Sequence, residues 1–243
     1  MERLLSVLLL LILSAEVQAQ YNYTITNGTI TITKYNDPYG SEPVRSVIIP
    51  STINGLPVTS IGVRAFKDGP GLTKVTIGNN VTSIGNEAFA GCSSLTSVTI
   101  PDSVTSIGGM TFQYCSSLTS VTIPNSVTSI GGNTFSGCTS LTNVTIGNSV
   151  ASIGDRTFED CYSLTNITIP DSVTRIGSVA FGSCTRLTGV YFKGNAPSVG
   201  SYVFDADNKV TVYYLAGTTG WGPTLADRPT KLWNVHPALL QSQ

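Results

Sequence analysis

A phenylalanine recurs every 23 residues through most of this chain, and this period constrains the possible folds more than any other feature. Only one phenylalanine, Phe192, lies outside the series, and all five cysteines and six leucines keep the same interval. The positions that share the period are Phe66, Phe89, Phe112, Phe135, Phe158, Phe181 and Phe204; Cys92, Cys115, Cys138, Cys161 and Cys184; and Leu72, Leu95, Leu118, Leu141, Leu164 and Leu187. A constant period of about 20 to 29 residues predicts a solenoid of stacked coils. A disordered low-complexity region is the alternative, but such regions lack large apolar residues at constant positions.

One complete unit runs over residues 95–119, with the sequence LTSVTIPDSVTSIGGMTFQYCSSLT. Val98 and Ile100 alternate with polar residues, which predicts one short parallel strand whose apolar side chains point into the core. Pro101 follows and ends the strand, because proline has no N–H to donate to a neighbouring strand.

The second half of the unit is predicted to return the chain to the next strand. Val104 and Ile107 re-enter the core, and Gly108 is expected to turn the chain with a positive φ. Phe112 and Cys115 are three residues apart, so we expect both to face inward from one helical or 3₁₀ turn. Repeated through the chain, this arrangement stacks identical side chains in columns.

Residues 100–122 carry the pattern I-P-x-S-V-T-S-I-G-x-x-x-F-x-x-C-S-S-L-T-S-V-T. This pattern resembles the BspA-type leucine-rich repeats of bacterial surface proteins, and the resemblance covers about residues 44–215. It implies a β-rich, right-handed leucine-rich repeat solenoid of 23-residue units and a secreted or surface setting. It also implies binding or adhesion to host or cell-surface partners, and no enzymatic chemistry.

The N-terminal sequence predicts a secretory signal peptide. Arg3 precedes the apolar run Leu4 to Leu13, and small residues then lead to a cleavage site near Ala19. The alternative is a retained membrane anchor, but a mostly apolar run of ten residues is too short to span a bilayer as a helix. We therefore expect a secreted protein, extracellular, at the cell surface or periplasmic, whose mature chain has no membrane span.

Both ends of the solenoid are predicted to carry caps. Residues 21–35 alternate β-forming residues around Asn27-Gly28, which predicts a hairpin that covers the first coil. At the other end the repeat breaks down, and we expect Trp221 and Trp233 to lie over the exposed apolar end of an irregular cap. The alternative is a ligand site lined by the two tryptophans. The predicted segments are a signal peptide, 1–19; an N-terminal β cap, 20–43; the leucine-rich repeat solenoid, 44–215; and an irregular C-terminal cap and tail, 216–243.

Composition and spacing argue against several classes of function. Charged residues make up 11% of the chain and form no basic run, so no nucleic-acid partner is indicated. The single histidine, His236, lies in the tail with nothing to place it beside a nucleophile. Asp155, Glu159 and Asp160 could form a calcium site or a solvated face, and the lack of any calcium-loop pattern favours the solvated face. We predict no enzyme, no cofactor and no metal site.

The five cysteines have two interpretations. A secreted protein usually pairs its cysteines in disulfides. However, stacked cysteines in adjacent coils have parallel Cα–Cβ directions, which do not suit a disulfide dihedral near 90°. The count is also odd. We therefore expect a column of reduced, buried thiols.

The outward-facing strand positions are the candidate binding surface. They form two columns on a predicted concave face that is neutral and rich in hydroxyl groups, without a charged residue between Ser103 and Gly154. A generic soluble strand face is the alternative, since threonine suits strands. The candidate ligand-facing residues are Lys74, Thr76, Ser97, Thr99, Ser120, Thr122, Asn143, Thr145, Asn166, Thr168 and Tyr191.

Three functions agree with such a scaffold. The first is a recognition or adhesion module that binds a protein or glycan at a cell surface. The second is a structural envelope scaffold or self-assembling unit. The third is an ice-binding surface of ordered threonines, which the predicted concave curvature disfavours. Because the strand face is nearly uniform, we expect selectivity to arise where that uniformity breaks, at Lys74, at Tyr191 and at the two caps.

Overall fold

The computed structural model describes residues 20–36, 45–69 and 71–234, which form a β-solenoid of about seven coils spaced by about 23 residues. The predicted solenoid is confirmed. In chain order the strands are β1 Tyr21–Thr26, β2 Thr29–Tyr35, β3 Arg45–Ile48, β4 Thr52–Ile53, β5 Leu56–Ile61, β6 Leu72–Thr76, β7 Ser83–Ile84, β8 Ser97–Thr99, β9 Ser106–Ile107, β10 Ser120–Thr122, β11 Ser129–Ile130, β12 Asn143–Thr145, β13 Ser152–Ile153, β14 Asn166–Ile169, β15 Arg175–Ile176, β16 Gly189–Phe192, β17 Ser198–Val199, β18 Thr211–Tyr214, β19 Thr224–Leu225 and β20 Arg228–Leu232.

The predicted strand of each unit builds the first side of the solenoid. Parallel strands β3, β6, β8, β10 and β12 pair in that order, and β14, β16, β18 and β20 continue beside β12. The register places equivalent residues opposite one another, so that Ser120 faces Asn143 and Val121 faces Val144. Alternate residues therefore point into the core, and the residues between them form an outward row of polar side chains.

A second parallel ladder lines another side of the solenoid, and the prediction of one strand per unit was wrong in this respect. Strands β5, β7 and β9 pair on this side, and β11, β13, β15 and β17 form a further ladder. Apart from β5, which has six residues, each of these strands has only two, such as Ser106 and Ile107. The polar residue is outward and the isoleucine is buried. The sequence places Ile107 in the core as expected, but a two-residue strand has too little alternation to be recognised.

The third side is built from β-turns, and the predicted helical or 3₁₀ turn was wrong: residues 45–69 and 71–234 contain no helical element. In the unit around Phe112, the N–H groups of Met110, Phe112 and Tyr114 donate to carbonyls of the next coil. Met110 and Tyr114 have φ values of 58° and 59°, which a helix does not allow. The turn thus satisfies these N–H groups by joining two coils rather than by closing a local helix.

The backbone conformation of Gly108 also differs from the predicted one. It is not among the positive-φ residues, which in this unit are Met110 and Tyr114. A side chain at Gly108 would instead collide with the neighbouring coil, since an added Cβ would lie 2.6 Å from the backbone nitrogen of Asn86. Glycine is needed here because two coils approach closely.

Phenylalanine rings fill the core as a continuous stack, as predicted. Neighbouring rings between Phe89 and Phe181 have centroids 5.4–5.5 Å apart and planes within 8° of parallel. At the N-terminal end, Tyr35 extends the stack by lying 5.1 Å from Phe66. The predicted hairpin of β1 and β2 therefore contributes to the core it covers, and Asn27 and Gly28 have the positive φ values of its turn.

A second column consists of the five cysteines, which are all buried as predicted. Each thiol donates to the carbonyl oxygen of a phenylalanine 26 residues earlier; Cys92 Sγ, for example, lies 3.1 Å from Phe66 O. Burial raises the pKa of Cys92 and of Cys138 to about 12. The thiols therefore act as small core groups that donate a weak hydrogen bond.

Up to residue 234 the C-terminal cap contains two strands, where an irregular segment was expected. Strand β20 pairs with β18 in parallel and so extends the first side by one more strand. Strands β19 and β20 form a hairpin whose turn residues, Ala226 and Asp227, have φ values of 49° and 62°. Alanine rarely adopts this conformation, so Asp227 is the one residue of the turn that favours it and the sequence signal is weak.

Several predictions lie outside the described residues or are not tested by them. The signal peptide (1–19), most of the loop after the N-terminal hairpin and His236 are outside. The domain boundaries and the handedness of the solenoid remain predictions. Within the part of the chain that is described, no helix has the length and apolar composition that crossing a bilayer requires.

Candidate binding surface

The outward residues of the first side form one surface, which we call the strand face. It contains every ligand-facing candidate named above, and parallel pairing aligns them as predicted in columns, such as Lys74 beside Ser97 and Thr76 beside Thr99. Most of these side chains are exposed, while Thr76, Ser97 and Tyr191 are half-buried. The strand face is thus present, but its two ends differ.

The C-terminal half of the strand face contains a groove of about 440 Å³. We call it the aromatic groove, and it brings together five of the candidates while Lys74, Thr76, Ser97, Thr99 and Ser120 lie outside it. Thr122 lies outside it too and lines an adjoining groove of about 570 Å³, which shares Val144, Thr145 and Thr168 with the aromatic groove and also contains Asp102 and Lys193. The residues that line the aromatic groove are Thr142, Asn143, Val144, Thr145, Asn166, Ile167, Thr168, Tyr191 and Trp233.

Three aromatic side chains cluster at the end of the aromatic groove. Tyr191 and Tyr213 occupy paired positions on β16 and β18, and their rings stack with centroids 4.8 Å apart and planes 9° from parallel. Trp233 follows β20, and its ring lies 5.0 Å from that of Tyr191 at an angle of 56°. The cluster therefore presents a stacked pair with a tilted indole beside it.

The strand itself positions Tyr191. A Cβ added to Gly189 would lie 2.6 Å from Tyr191 Cε2 and 2.6 Å from Asn166 Oδ1. The tyrosine ring therefore lies along the strand over Gly189, which explains why the column of small polar residues contains a glycine at this point. Partial burial, with a smaller effect of Tyr213, raises the pKa of the Tyr191 phenol, so its hydroxyl is neutral and can donate a hydrogen bond.

Polar groups beside the rings remain available. The side chains of Asn143, Thr145 and Thr168 have no hydrogen-bond partner among the described residues. The adjacent threonine column is different, because its hydroxyls are used within the scaffold: Thr142 Oγ1 donates to Thr119 O at 3.1 Å. Two rows of similar composition therefore have different roles, one structural and one open to a ligand.

The two tryptophans also have different roles. Trp221 stacks on Tyr214 and meets Phe192 edge-on, both at 5.0 Å, and so covers the core as predicted. Trp233 lines the aromatic groove instead, which agrees with the alternative of a ligand site for this residue alone. Sequence reasoning missed Tyr213 as a partner of Tyr191. The sequence did offer a signal, because Tyr213 continues the threonine column if the last repeat is taken to be shorter than the others.

The remaining chemistry within the described residues is structural. No group of three or more histidine, cysteine or acidic side chains there is arranged to hold a metal ion. In the acidic cluster, Arg156 pairs with Glu159 at 3.3 Å, as expected of a solvated face. What the surface offers a ligand is aromatic stacking and hydrogen bonding.

Comparisons with known proteins agree with this architecture. The family model described as BspA type Leucine rich repeat region matches residues 31–135 and 105–221, with six copies. A leucine rich repeat protein of T. pallidum is similar in structure, with a TM-score of 0.72, 33% identity, and coverage of 79% of this chain and 88% of that one. A leucine rich cell surface protein of Faecalibacterium prausnitzii A2-165 has a TM-score of 0.55 and 29% identity, covering 82% and 70%.

No curated protein matches the chain significantly. The family model nevertheless extends over more than half of the sequence, and the T. pallidum structure is matched over most of its length. The repeat pattern, the stacked core and both comparisons thus agree, and the chain belongs to the BspA-type leucine-rich repeat family.

Proposed function

We propose that this chain is a non-catalytic recognition module, secreted or held at a cell surface, that binds a protein or glycan partner through its strand face. The observation that carries the proposal is the aromatic groove. There, unpaired polar side chains such as Asn143 and Thr145 stand beside the rings of Tyr191 and Trp233. Aromatic side chains with a few polar groups around them are typical of binding sites.

The comparisons support binding as the general role. Leucine-rich repeat proteins typically bind partners and are typically non-catalytic, and one structural relative is named a cell surface protein. For this chain, the predicted signal peptide cleaved near Ala19 supports export. The buried thiols support the absence of cysteine chemistry, because burial keeps them in the unreactive protonated form.

The proposal is tested with a panel of immobilised glycans and extracellular-matrix proteins. Wild-type chain is compared with Thr145→Lys, which places a charged side chain in the aromatic groove. Thr99→Lys is the matched control, because Thr99 occupies the same column two coils away and is also exposed. We expect Thr145→Lys to abolish binding and Thr99→Lys to retain it. If both variants still bind, the aromatic groove is not the binding site. If both lose binding, the site is not confined to the C-terminal half of the strand face.

A further inference from the structure

We propose that the aromatic groove binds a neutral oligosaccharide in an extended conformation. This inference rests on the proposed function and names the class of ligand for the same surface. It follows from three properties of the groove: ring surfaces that are accessible from one side, hydrogen-bonding groups without partners, and a lining without charge.

The rings provide the apolar part of the site. Tyr191 is held from below by its own strand at Gly189 and from one side by Tyr213, so its position is defined before a ligand arrives. Trp233 stands at 56° to it and closes one end of the groove. Sugar rings have one face made mainly of C–H groups, and a pre-positioned aromatic ring offers that face a large contact at little entropic cost.

The side chains along the floor provide the polar part. The amide of Asn143 has two donors and an acceptor, and the hydroxyls of Thr145 and Thr168 each both donate and accept. None of the three has a partner within the described structure. A sugar carries hydroxyl groups that both donate and accept around its rim. Such a ligand would satisfy these side chains, whereas a purely apolar ligand would bury them unpaired, at a cost of about 1–3 kcal/mol each.

The absence of charge narrows the ligand further. None of the residues lining the aromatic groove is charged. Arginine, which is enriched in the energetic centres of protein interfaces, is also missing from this lining. An acidic polysaccharide would find no cation in this lining, because Lys231 lies beyond Tyr213 and Lys193 lines the adjoining groove. The groove therefore suits a neutral ligand better than an anionic glycan or a charged peptide.

The spacing of the coils suits a repeating ligand. Asn143 and Asn166 occupy one column on successive coils, and Thr145 and Thr168 occupy the next, so the groove offers similar polar groups at an interval of about 4.8 Å. This interval is close to the length of one sugar unit in an extended chain. Successive sugars can therefore meet successive coils, with the last sugar in contact with the rings of Tyr191 and Trp233.

The experiment uses the two tryptophans as separate reporters. In the Trp221→Phe variant, Trp233 is the only indole of the chain, and its fluorescence is titrated with neutral oligosaccharides of glucose, mannose, galactose, xylose or N-acetylglucosamine. We expect a saturable change with at least one of them, and none with heparin fragments. Wild-type chain on an immobilised array of the same sugars gives a second readout in case the Trp221→Phe variant does not fold.

Variants then locate the site. Trp233→Ala and Tyr191→Ala are expected to raise the Kd at least tenfold, while Tyr191→Phe, which keeps the ring, should raise it less than threefold. The matched control Thr99→Lys should leave the Kd unchanged. Failure of every neutral sugar to bind folded protein, or equal binding by Trp233→Ala, would overturn the inference.

The two proposals fail in different ways. If matrix proteins bind and Thr145→Lys abolishes this binding, but no neutral sugar competes, the proposed function stands and the oligosaccharide is excluded. If a sugar binds but Thr145→Lys has no effect on it, the aromatic groove is not the site. If heparin fragments bind more tightly than neutral sugars, the charge argument is wrong.

Discussion

The middle coils and the C-terminal end of this solenoid are built from the same repeat but differ in what their side chains do. Around Phe112 and Phe135 every coil copies its neighbours: the rings stack 5.5 Å apart and 6° from parallel. At the C-terminal end the repeat pattern is interrupted at three places. Tyr191 replaces threonine, Asp207 replaces cysteine, and β20 arrives through a hairpin instead of a full coil.

This difference separates residues that build the scaffold from residues that are available for binding. In the middle coils the recognisable letters of the motif are buried or hydrogen-bonded to the next coil, so they carry no information about a partner. Among the residues that the structure describes, no complete coil follows β18, and aromatic side chains lie at this end of the array. Tyr214 and Trp221 cover the core, whereas Tyr191 and Trp233 form the aromatic groove.

The largest effect expected in the middle coils is that of Phe135→Ala. Phe135 is fully buried between two parallel rings, so its truncation should lower the free energy of unfolding by about 3–5 kcal/mol. Phe204→Ala should cost less, because Phe204 stacks on Phe181 alone among the phenylalanines. Urea unfolding followed by circular dichroism measures both. Equal losses would mean that the end of the array is as tightly packed as its middle.

At the C-terminal end we expect a substitution that raises the free energy of unfolding instead of lowering it. Asp207 occupies the position of the cysteine column, is 2% exposed, and neither carboxylate oxygen has a hydrogen-bond partner among the described residues. Burial raises the pKa of Asp207 to about 6, against the lowering effect of the nearby Arg228 charge. Replacement by the residue of the column, Asp207→Cys, should therefore stabilise the protein at pH 7.5, by roughly 1–3 kcal/mol.

The pH dependence of unfolding provides a direct check on Asp207. Between its ordinary pKa near 3.8 and about 6, the folded protein holds this proton more tightly than the unfolded chain. The contribution is fully present below the lower value and is lost as the pH rises through the higher one, so stability should fall across this window. The Asp207→Cys variant should show a smaller fall. Identical pH profiles for the two proteins would contradict the assignment.

Glycine substitutions compare close packing with backbone conformation. Gly108→Ala should destabilise the middle coils by about 1–3 kcal/mol, because the new Cβ meets backbone atoms of the adjacent coil. Gly28→Ala tests the other cause, since Gly28 has a φ of +73° with open space around it. We expect a loss of about 1 kcal/mol there. Thermal denaturation of both variants would decide which constraint is stronger.

The smallest effect concerns reactivity rather than stability. Native protein should react slowly with a thiol reagent, because burial raises the pKa of thiols such as Cys92 and Cys138 to about 12. Denatured, unreduced protein should show five reactive thiols, the full number in the sequence. Three or one would reveal disulfides and refute the thiol column.

The sequence predicts the middle of the molecule well because each position is repeated. Seven phenylalanines in register identify the core without ambiguity, and Asn27-Gly28 identifies the N-terminal hairpin through the φ values its turn requires. The turns around Phe112 were predicted wrongly because they depend on residues such as Met110 and Tyr114 in the left-handed region, which side chains of this kind rarely adopt. Hydrogen bonds to the next coil hold them there, and no local pattern encodes such bonds.

The candidate site was predicted only in part for the same physical reason. The columns on the strand face follow from the period, so the sequence predicts that the ligand-facing candidates share one side of the solenoid, and the strand register places them there. Trp233 was assigned to the cap because the pairing of β20 with β18 cannot be read from a segment without the repeat. Its place beside Tyr191 depends on contacts between distant parts of the chain.

One series of variants tests most directly the claim that binding belongs to the C-terminal end while the other coils are scaffold. Thr99→Lys, Thr122→Lys, Thr145→Lys and Thr168→Lys make the same change at the same column position on four successive coils, all exposed. Each variant is tested for binding to the immobilised glycan or matrix protein that binds the wild-type chain. The account predicts little loss for Thr99→Lys and a loss that grows towards Thr168→Lys, next to Tyr191. Equal losses along the series, or the greatest loss at Thr99, would contradict it.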